Sequence, residues 1–217
     1  MTSNLQNNLI AKEAIYGAKN YSPLPIVLKK GEGVYLWDVD DNKYLDMMSA
    51  YSAVSHGHSH PKLVKVLINQ AEKLAISSRA FYTEPFGEYI EKLSKLSGFE
   101  SILPMNTGAE AVETAIKAAR RWGYFTKGIE ENSAEIIVAE GNFHGRTTTI
   151  VGFSSEKDYK KGFGPFADGF VQADYCKTNC DCSKVCEKSI ESFKSLINKN
   201  TCAVLVEPIQ GEGGIIT

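Results

Sequence analysis

The sequence predicts an α/β fold built on a mostly parallel sheet, with a small N-terminal segment of mixed helices and strands. Two observations carry this prediction. Beyond about residue 100, short continuous apolar runs alternate with amphipathic segments of helical length, as expected for buried parallel strands joined by helices. Before residue 60 the pattern is that of a hairpin. We therefore divide the chain into an N-terminal segment, 1–60, and the first part of a larger domain, 61–217.

The N-terminal segment carries one clear signal. Residues 1–30 are expected to be irregular, because Pro23 and Pro25 interrupt any helix there. The apolar runs 34–37 and 43–45 then flank a turn-rich stretch, which predicts the hairpin.

The larger domain is predicted from periodicity. Helical spacing of apolar residues marks four helices, at 61–76, 86–98, 107–125 and 183–198. Continuous apolar runs mark four strands, at 102–103, 136–139, 149–153 and 202–206. No helix follows the last strand, so the sheet is expected to be incomplete at Thr217.

Composition excludes several classes of protein. The net charge of −2 lacks the basic surplus of a nucleic-acid-binding protein. No run of about 18 apolar residues predicts a membrane span. The first eight residues are polar and uncharged, so no targeting segment is expected and the cytoplasm is the predicted location. Five cysteines in a chain of 217 residues then indicate mainly reduced thiols.

A first loop, 105–110, precedes a helix and is suited to binding phosphate. Thr107 and Glu110 have the spacing of a capping box, and Gly108 and Ala109 leave their backbone N–H groups accessible. The positive end of the helix dipole favours an anion at this position. An ordinary capped helix has the same pattern, and neither common nucleotide-binding signature is present.

Two further loops follow strands and are expected at the same edge of the sheet, where α/β proteins bind ligands. The second loop, 141–147, offers Phe143 as a flat face for an aromatic ring and Arg146 as a bidentate partner for a carboxylate. The third loop, 207–214, contains carboxylates that could pair with a cation, accept from an ammonium group or cap the backbone. Each loop alone is also typical of an ordinary turn, whereas the three together predict a cleft.

Together these loops resemble those of the class III, or ω-, aminotransferases. The resemblance covers about residues 16–214 except the segment that bears most of the cysteines, and within the family it is strongest to the branch that acts on ornithine. The segments that carry it are Tyr16–Pro25, Tyr35–Val39, Ser49–Val54, Ser78–Tyr82, Leu103–Gly108, Gly162–Phe166 and Val206–Glu212. It implies the type I fold of transferases that depend on pyridoxal 5′-phosphate (PLP).

The resemblance implies a role for each loop in binding PLP. Thr107, Gly108 and Ala109 would hold the phosphate, the last two through backbone N–H groups. Phe143 would stack on the pyridine ring, with His144 beside it. The family usually has a second aromatic residue at the position of His144, often Trp, so the role of this side chain stays open.

The resemblance also implies the substrate-binding residues. Tyr21 and Arg146 would bind the α-carboxylate of L-ornithine, and Tyr51 would help to position this substrate. Glu212 would pair with an arginine that is expected beyond Thr217 while ornithine is bound, and it would release that arginine for 2-oxoglutarate.

The implied reaction passes the δ-amino group of ornithine to 2-oxoglutarate, giving glutamate semialdehyde and glutamate. The family's Schiff-base lysine is expected beyond Thr217, so no catalytic residue is assigned within this chain, and the 217 residues alone are expected to be inactive. A homodimer is implied by the resemblance alone.

Other functions stay open on the sequence. Another ω-aminotransferase would act on acetylornithine or 4-aminobutyrate, and a non-catalytic fragment would serve as a binding or interaction module. Tyr21 discriminates best among the enzymes, because an α-carboxylate anchor beside Arg146 favours free ornithine.

Two clusters of metal-binding residue types need a separate interpretation. His56, His58 and His60 alternate, but the run resembles a structural turn of the family and no metal site is predicted. Four cysteines form two C-x3-C pairs, Cys176 with Cys180 and Cys182 with Cys186. Three interpretations of these pairs stay open: a structural zinc site, a site for a thiol-redox partner, and a plain loop.

Overall fold

The computed structural model describes residues 3–175 and 182–216. The chain separates into two compact units, Met1–Glu91 and Lys92–Thr217, with the division inside a helix. The predicted boundary between residues 60 and 61 stays a prediction, and each unit is described by itself.

The first unit contains a three-stranded antiparallel sheet and several helices. In chain order its elements are α1 (Asn4–Tyr16), β1 (Leu28–Glu32), β2 (Tyr35–Asp38), β3 (Lys43–Leu45), α2 (Ser49–Ser52), α3 (Pro61–Lys73) and α4 (Glu84–Ser97), which continues into the second unit. The strands pair in the order β1-β2-β3. The predicted hairpin and the two predicted helices are confirmed, with Pro61 in the first turn of α3.

Asp38 organises the turn of the hairpin. Its carboxylate accepts hydrogen bonds from the backbone N–H groups of Asp40 and Asn42 and from the hydroxyl of Tyr44. Burial acts to raise the pKa of Asp38, but the hydrogen bonds from Asn42 and Tyr44 outweigh it and lower the pKa to about 2. The turn therefore holds an ionised carboxylate at neutral pH.

The expectation of an irregular stretch over residues 1–30 was wrong in two places, α1 and β1. Ser3 caps α1 by accepting from the N–H of Gln6, and the prolines lie beyond the end of this helix. The apolar residues of α1 do not gather on one face, so periodicity gave no signal. The buried side chain of Gln6 instead bonds the backbone at Pro25 and Val27.

The second unit is an α/β layer. Its elements are α5 (Gly108–Phe125), β4 (Glu135–Ala139), α6 (Thr148–Gly152), α7 (Lys157–Lys160), β5 (Phe170–Ala173), α8 (Cys182–Leu196) and β6 (Thr201–Leu205). The strands are parallel, in the order β5-β4-β6. The central strand β4 is buried from Ile136 to Ala139, as predicted for a strand covered on both faces. The core around it unites Ile116 of α5 with Ile150 and Phe153.

Two predicted strands are corrected. Residues 102–103 belong to no strand, and the run 149–153 is the helix α6 with Phe153 at its end. Thr147 caps α6 by accepting from the N–H of Ile150. A five-residue run with Ile150, Val151 and Phe153 fits a buried strand or a buried helical turn equally well, and this cap decided for the helix. The short strand β5 was not predicted.

The remaining helices and strands of the second unit lie where the sequence predicts them. The helix α5, the strands β4 and β6 and the helix α8 lie where periodicity predicted them, within two residues or fewer at their ends. In the described part of the chain, no helix is long and apolar enough to cross a bilayer.

Candidate active site

Three loops meet in the second unit, at the carboxyl edge of the parallel sheet. The second and third loops follow β4 and β6, which run parallel and therefore end at the same edge. Gln210 of the third loop is 1% exposed and donates from Nε2 to the carbonyl of Glu140, at 2.7 Å. Because this bond spans 70 residues of sequence, it fixes one loop against the other.

The first loop ends in the predicted capping box. The hydroxyl oxygen of Thr107 accepts from the N–H of Glu110 at 3.1 Å, and the carboxylate of Glu110 accepts from the N–H of Thr107 at 3.0 Å. The next amides, those of Gly108 and Ala109, lie in the first turn, where a helix supplies no acceptor. A Cβ at Gly108 would meet no atom within 4 Å, so the approach to these amides is open.

The second loop packs directly on this helix start. Gly145 has a φ of +127°, and a Cβ there would lie 3.1 Å from the Cβ of Ala109. Glycine is needed at this position both for its backbone conformation and for the close approach. Further along, the hydroxyl of Thr147 donates to the carboxylate of Glu113 on α5. The second loop is therefore held against α5 at two points.

Phe143 is held by a carboxylate of the third loop. The backbone N–H of Phe143 donates to Oε2 of Glu207 at 2.9 Å, and the hydroxyl of Tyr175 donates to the carbonyl of Glu207 at 3.0 Å. Of the roles open to a carboxylate in this loop, Glu207 has the backbone-capping one. This contact fixes the backbone that carries the half-buried aromatic ring.

His144, the next residue, packs against the core of the second unit. Its imidazole packs against Phe153 with 6.0 Å between ring centroids. Its Nε2 is buried without a hydrogen-bond partner among the described residues. Burial lowers the pKa of His144, and the charge of Glu207 opposes this shift only in part. The imidazole is therefore neutral at pH 7 and retains hydrogen-bonding capacity at a buried nitrogen.

Arg146 and Glu212 both contact Tyr159, a residue that no sequence pattern singled out. The hydroxyl of Tyr159 donates to Oε1 of Glu212 at 2.8 Å. The guanidinium carbon of Arg146 lies 4.9 Å from the centroid of the Tyr159 ring. A cleft of about 570 Å³ opens here, and Tyr159, Glu212 and Gln210 contribute to its lining.

The other two predicted substrate residues form a pair within the first unit. The hydroxyl groups of Tyr21 and Tyr51 are 2.8 Å apart and share a hydrogen bond. Tyr51 lies in α2, where all four residues have positive φ, the left-handed conformation that L-residues rarely adopt. This turn is therefore strained, and it requires support from its surroundings.

Asp46 supplies that support. Its Oδ1 accepts from the N–H groups of Met48 and Ser49 at the start of the turn. Its Oδ2 lies 2.6 Å from Nε2 of His58. The hydrogen bond from His58, followed by that from the Ser49 backbone, lowers the pKa of Asp46. The alternating histidines thus include one structural partner for a carboxylate, and no group fit to hold a metal ion is found among the described residues.

The predicted thiol site cannot be placed. Cys176 and Cys180 lie outside the described residues, and the side chains of Cys182 and Cys186 do too. The zinc and redox interpretations therefore stay predictions.

Two residues of the site, Glu207 and Tyr159, were not predicted from the sequence. Glu207 stood in a segment that had been singled out, but only its contact with Phe143 across the sheet edge shows its task. Tyr159 lies in the four-residue helix α7, where no periodicity can develop, so nothing in the sequence distinguished it.

Comparison with known proteins agrees with this architecture. A model of the class-III aminotransferase family matches residues 16–217. The ornithine aminotransferase of Brevibacillus brevis is 54% identical over 210 residues, which cover 97% of this chain and 50% of that relative. Ornithine aminotransferase 2 of Staphylococcus aureus (strain MRSA252) is 56% identical over 200 residues, which cover 92% and 48%. The chain thus spans about half the length of the curated relatives it matches.

Solved structures give the same result. The ornithine aminotransferase from Toxoplasma gondii ME49 superimposes with a TM-score of 0.87 at 35% identity, covering 100% of this chain and 48% of that one. The acetylornithine aminotransferase from Elizabethkingia anophelis has a TM-score of 0.78 at 52% identity, covering 98% and 49%. The predicted fold class is confirmed by these likenesses.

Proposed function

This chain belongs to the class-III aminotransferase family, and on that premise we propose that it forms part of an enzyme that transfers the δ-amino group of L-ornithine to 2-oxoglutarate. The products are glutamate semialdehyde and glutamate. The observation that carries the proposal is the 54–56% identity to proteins named ornithine aminotransferase over 92–97% of this chain.

The residues of the second unit fit PLP as the cofactor. The amides of Gly108 and Ala109, with the dipole of α5, would bind the phosphate. Phe143 would stack on the pyridine ring, and the buried Nε2 of His144 would find its hydrogen-bond partner in the bound ligand. The bound cofactor supplies the electron sink for amino transfer, while the protein supplies binding, orientation and electrostatics.

The substrate would be bound by its charged groups. Arg146 would form a bidentate pair with the α-carboxylate of ornithine, to which Tyr21 would add a hydrogen bond. Tyr51 would position the same end of the substrate. Glu212 would pair with an arginine in one half of the reaction and release it in the other. The hydrogen bond between Tyr21 and Tyr51 supports a shared task for these two phenols.

A second candidate substrate is acetylornithine, because the Elizabethkingia anophelis protein of that name is 52% identical to this chain. The tyrosine pair favours free ornithine. Besides the hydrogen bond from Tyr21 to the α-carboxylate, which both substrates could accept, the two phenol oxygens can accept from a free α-ammonium group, whereas acetylation leaves that nitrogen a single N–H. Loss of one acceptor would remove a hydrogen bond to the charged ammonium group.

The test is a Tyr21→Phe variant of the full-length gene product that contains this sequence. We expect kcat/KM for ornithine to fall about tenfold relative to that for acetylornithine, since one hydrogen bond to a charged group is lost. Tyr35→Phe is the matched control, because the Tyr35 ring packs on Trp37 in the hairpin and keeps that contact. If the unsubstituted enzyme prefers acetylornithine, or if Tyr21→Phe leaves the ratio unchanged, the assignment to ornithine fails.

A homodimer belongs to the same proposal. Sedimentation of the full-length gene product, loaded with PLP, should give twice the mass of one chain. A monomeric species with full activity would contradict this part of the proposal.

A further inference from the structure

We propose that Tyr159 is a positioning residue that keeps Arg146 and Glu212 apart, so that Arg146 remains available to a substrate carboxylate and Glu212 to its own cationic partner. The inference rests on the proposed function in one respect, because it takes these two charged residues as the substrate-binding groups. The new element is the role of Tyr159 in α7, whose side chain contacts both of these charged residues.

The geometry of the cluster carries the proposal. Tyr159 donates its hydroxyl proton to Oε1 of Glu212 at 2.8 Å. The guanidinium of Arg146 packs over two aromatic faces, 4.9 Å from the centroid of Tyr159 and 5.6 Å from that of Phe143. These two rings meet edge to face, with centroids 6.2 Å apart at an interplanar angle of 72°. One tyrosine therefore contacts both charges: its hydroxyl donates to Glu212, while Arg146 lies against its ring and close enough to the hydroxyl to act on the pKa of the phenol.

The charges in this cluster are opposite, but they do not form an ion pair. Between described residues, the ion pairs within 4.0 Å involve neither Arg146 nor Glu212. An exposed arginine and an exposed glutamate in one cluster attract each other, and a bidentate pair would satisfy both. Tyr159 satisfies each of them separately, so the attraction does not draw them together.

The protonation of Tyr159 is consistent with this role. The hydrogen bond to Glu212, followed by burial, raises the pKa of the phenol, and Arg146 only partly offsets the rise. The hydroxyl therefore stays protonated at neutral pH and remains a donor to the carboxylate.

Removal of the hydroxyl has a defined consequence. Without its donor, Glu212 is free to pair with Arg146. A substrate carboxylate must then compete with Glu212 for the guanidinium, so binding weakens while the chemical step is unaffected. The hydroxyl thus acts on KM through Glu212, and it has no effect where Glu212 carries no charge.

The experiment is a double-mutant cycle of Tyr159→Phe and Glu212→Gln in the full-length gene product loaded with its cofactor. We expect Tyr159→Phe to raise KM for ornithine about tenfold, the effect of one hydrogen bond to a charged group, with kcat within about twofold. On the Glu212→Gln background the same change should alter KM by less than about twofold. Equal effects in both backgrounds, or no effect in either, would overturn the proposal.

A second readout needs no turnover. Calorimetric titration with glutarate, an unreactive dicarboxylate, should show about tenfold weaker binding to Tyr159→Phe than to the unsubstituted protein. Tyr124→Phe is the control, because Tyr124 lines a separate surface cleft at the end of α5. Unchanged glutarate affinity in Tyr159→Phe refutes the positioning role.

The two proposals fail separately. If the unsubstituted enzyme does not use ornithine, the proposed function falls, and the cycle is run with the amino donor that the enzyme prefers. The glutarate titration then still decides the role of Tyr159, because it depends only on Arg146 binding a carboxylate and on Glu212 competing for that guanidinium when the Tyr159 hydroxyl is absent.

Discussion

Glu207 ties the third loop to the backbone of Phe143, and replacing it with alanine removes that contact. The lost interaction is the 2.9 Å hydrogen bond from the N–H of Phe143 to a carboxylate. A hydrogen bond to a charged group contributes about 1.5–3 kcal/mol. Glu207 is half-buried, so about 1.5 kcal/mol applies, close to the 1.4 kcal/mol that changes an equilibrium constant tenfold.

If Phe143 binds the cofactor ring, loss of this hydrogen bond weakens PLP binding by about the same energy, because the Phe143 backbone is no longer held in place. The assay is a PLP titration of the apo form of the full-length gene product, followed by fluorescence. We expect Glu207→Ala to raise the Kd for PLP about tenfold. Glu207→Gln keeps a carbonyl acceptor for the same N–H, so its Kd for PLP should lie between that of the unsubstituted protein and that of Glu207→Ala.

A thermal unfolding midpoint measured on the apo protein serves as the control for a general loss of stability. The reasoning is refuted if Glu207→Ala binds PLP within about twofold of the unsubstituted protein, since this would mean that Phe143 is oriented without the carboxylate.

Three other changes test the fold and its supports. Thr107→Ala breaks the capping box with Glu110 and should cost about 1 kcal/mol of stability while weakening PLP binding, measured by thermal unfolding and by titration. Ile137→Ala opens a cavity in a strand position that is 0% exposed and should lower the free energy of unfolding by about 3 kcal/mol, seen as a lower urea midpoint with an unchanged slope. Because the folded state lowers the pKa of Asp46, the ionised carboxylate stabilises the fold above pH 3.8, the ordinary pKa, and this stabilisation is lost as the pH falls through the folded pKa. Asp46→Asn should therefore be less stable than the unsubstituted protein at pH 6 and approach its stability below pH 3.8. A constant difference in stability across this range would contradict the role of the contact with His58.

Much of this architecture was readable from the chain. The capping spacing of Thr107 and Glu110 placed the start of α5 because a cap is a local interaction over three residues. The continuous apolar run at 136–139 was correctly predicted to be a strand buried on both faces, because such a sequence is typical of a central parallel strand. Errors came where signals were short or absent: at 149–153 the cap at Thr147 outweighed β-branched composition, and α1 has no apolar face to detect.

The sequence by itself determined the α/β class, the family and the residue types at each loop, because these follow from periodicity, caps and segments that act over a few positions. Only the tertiary structure decided which groups meet. Glu207 contacts Phe143 across 64 residues, and Tyr159 contacts Glu212 across 53. Neither contact is encoded in local spacing, because parallel strands bring their carboxyl ends together only after the chain has crossed the sheet and returned.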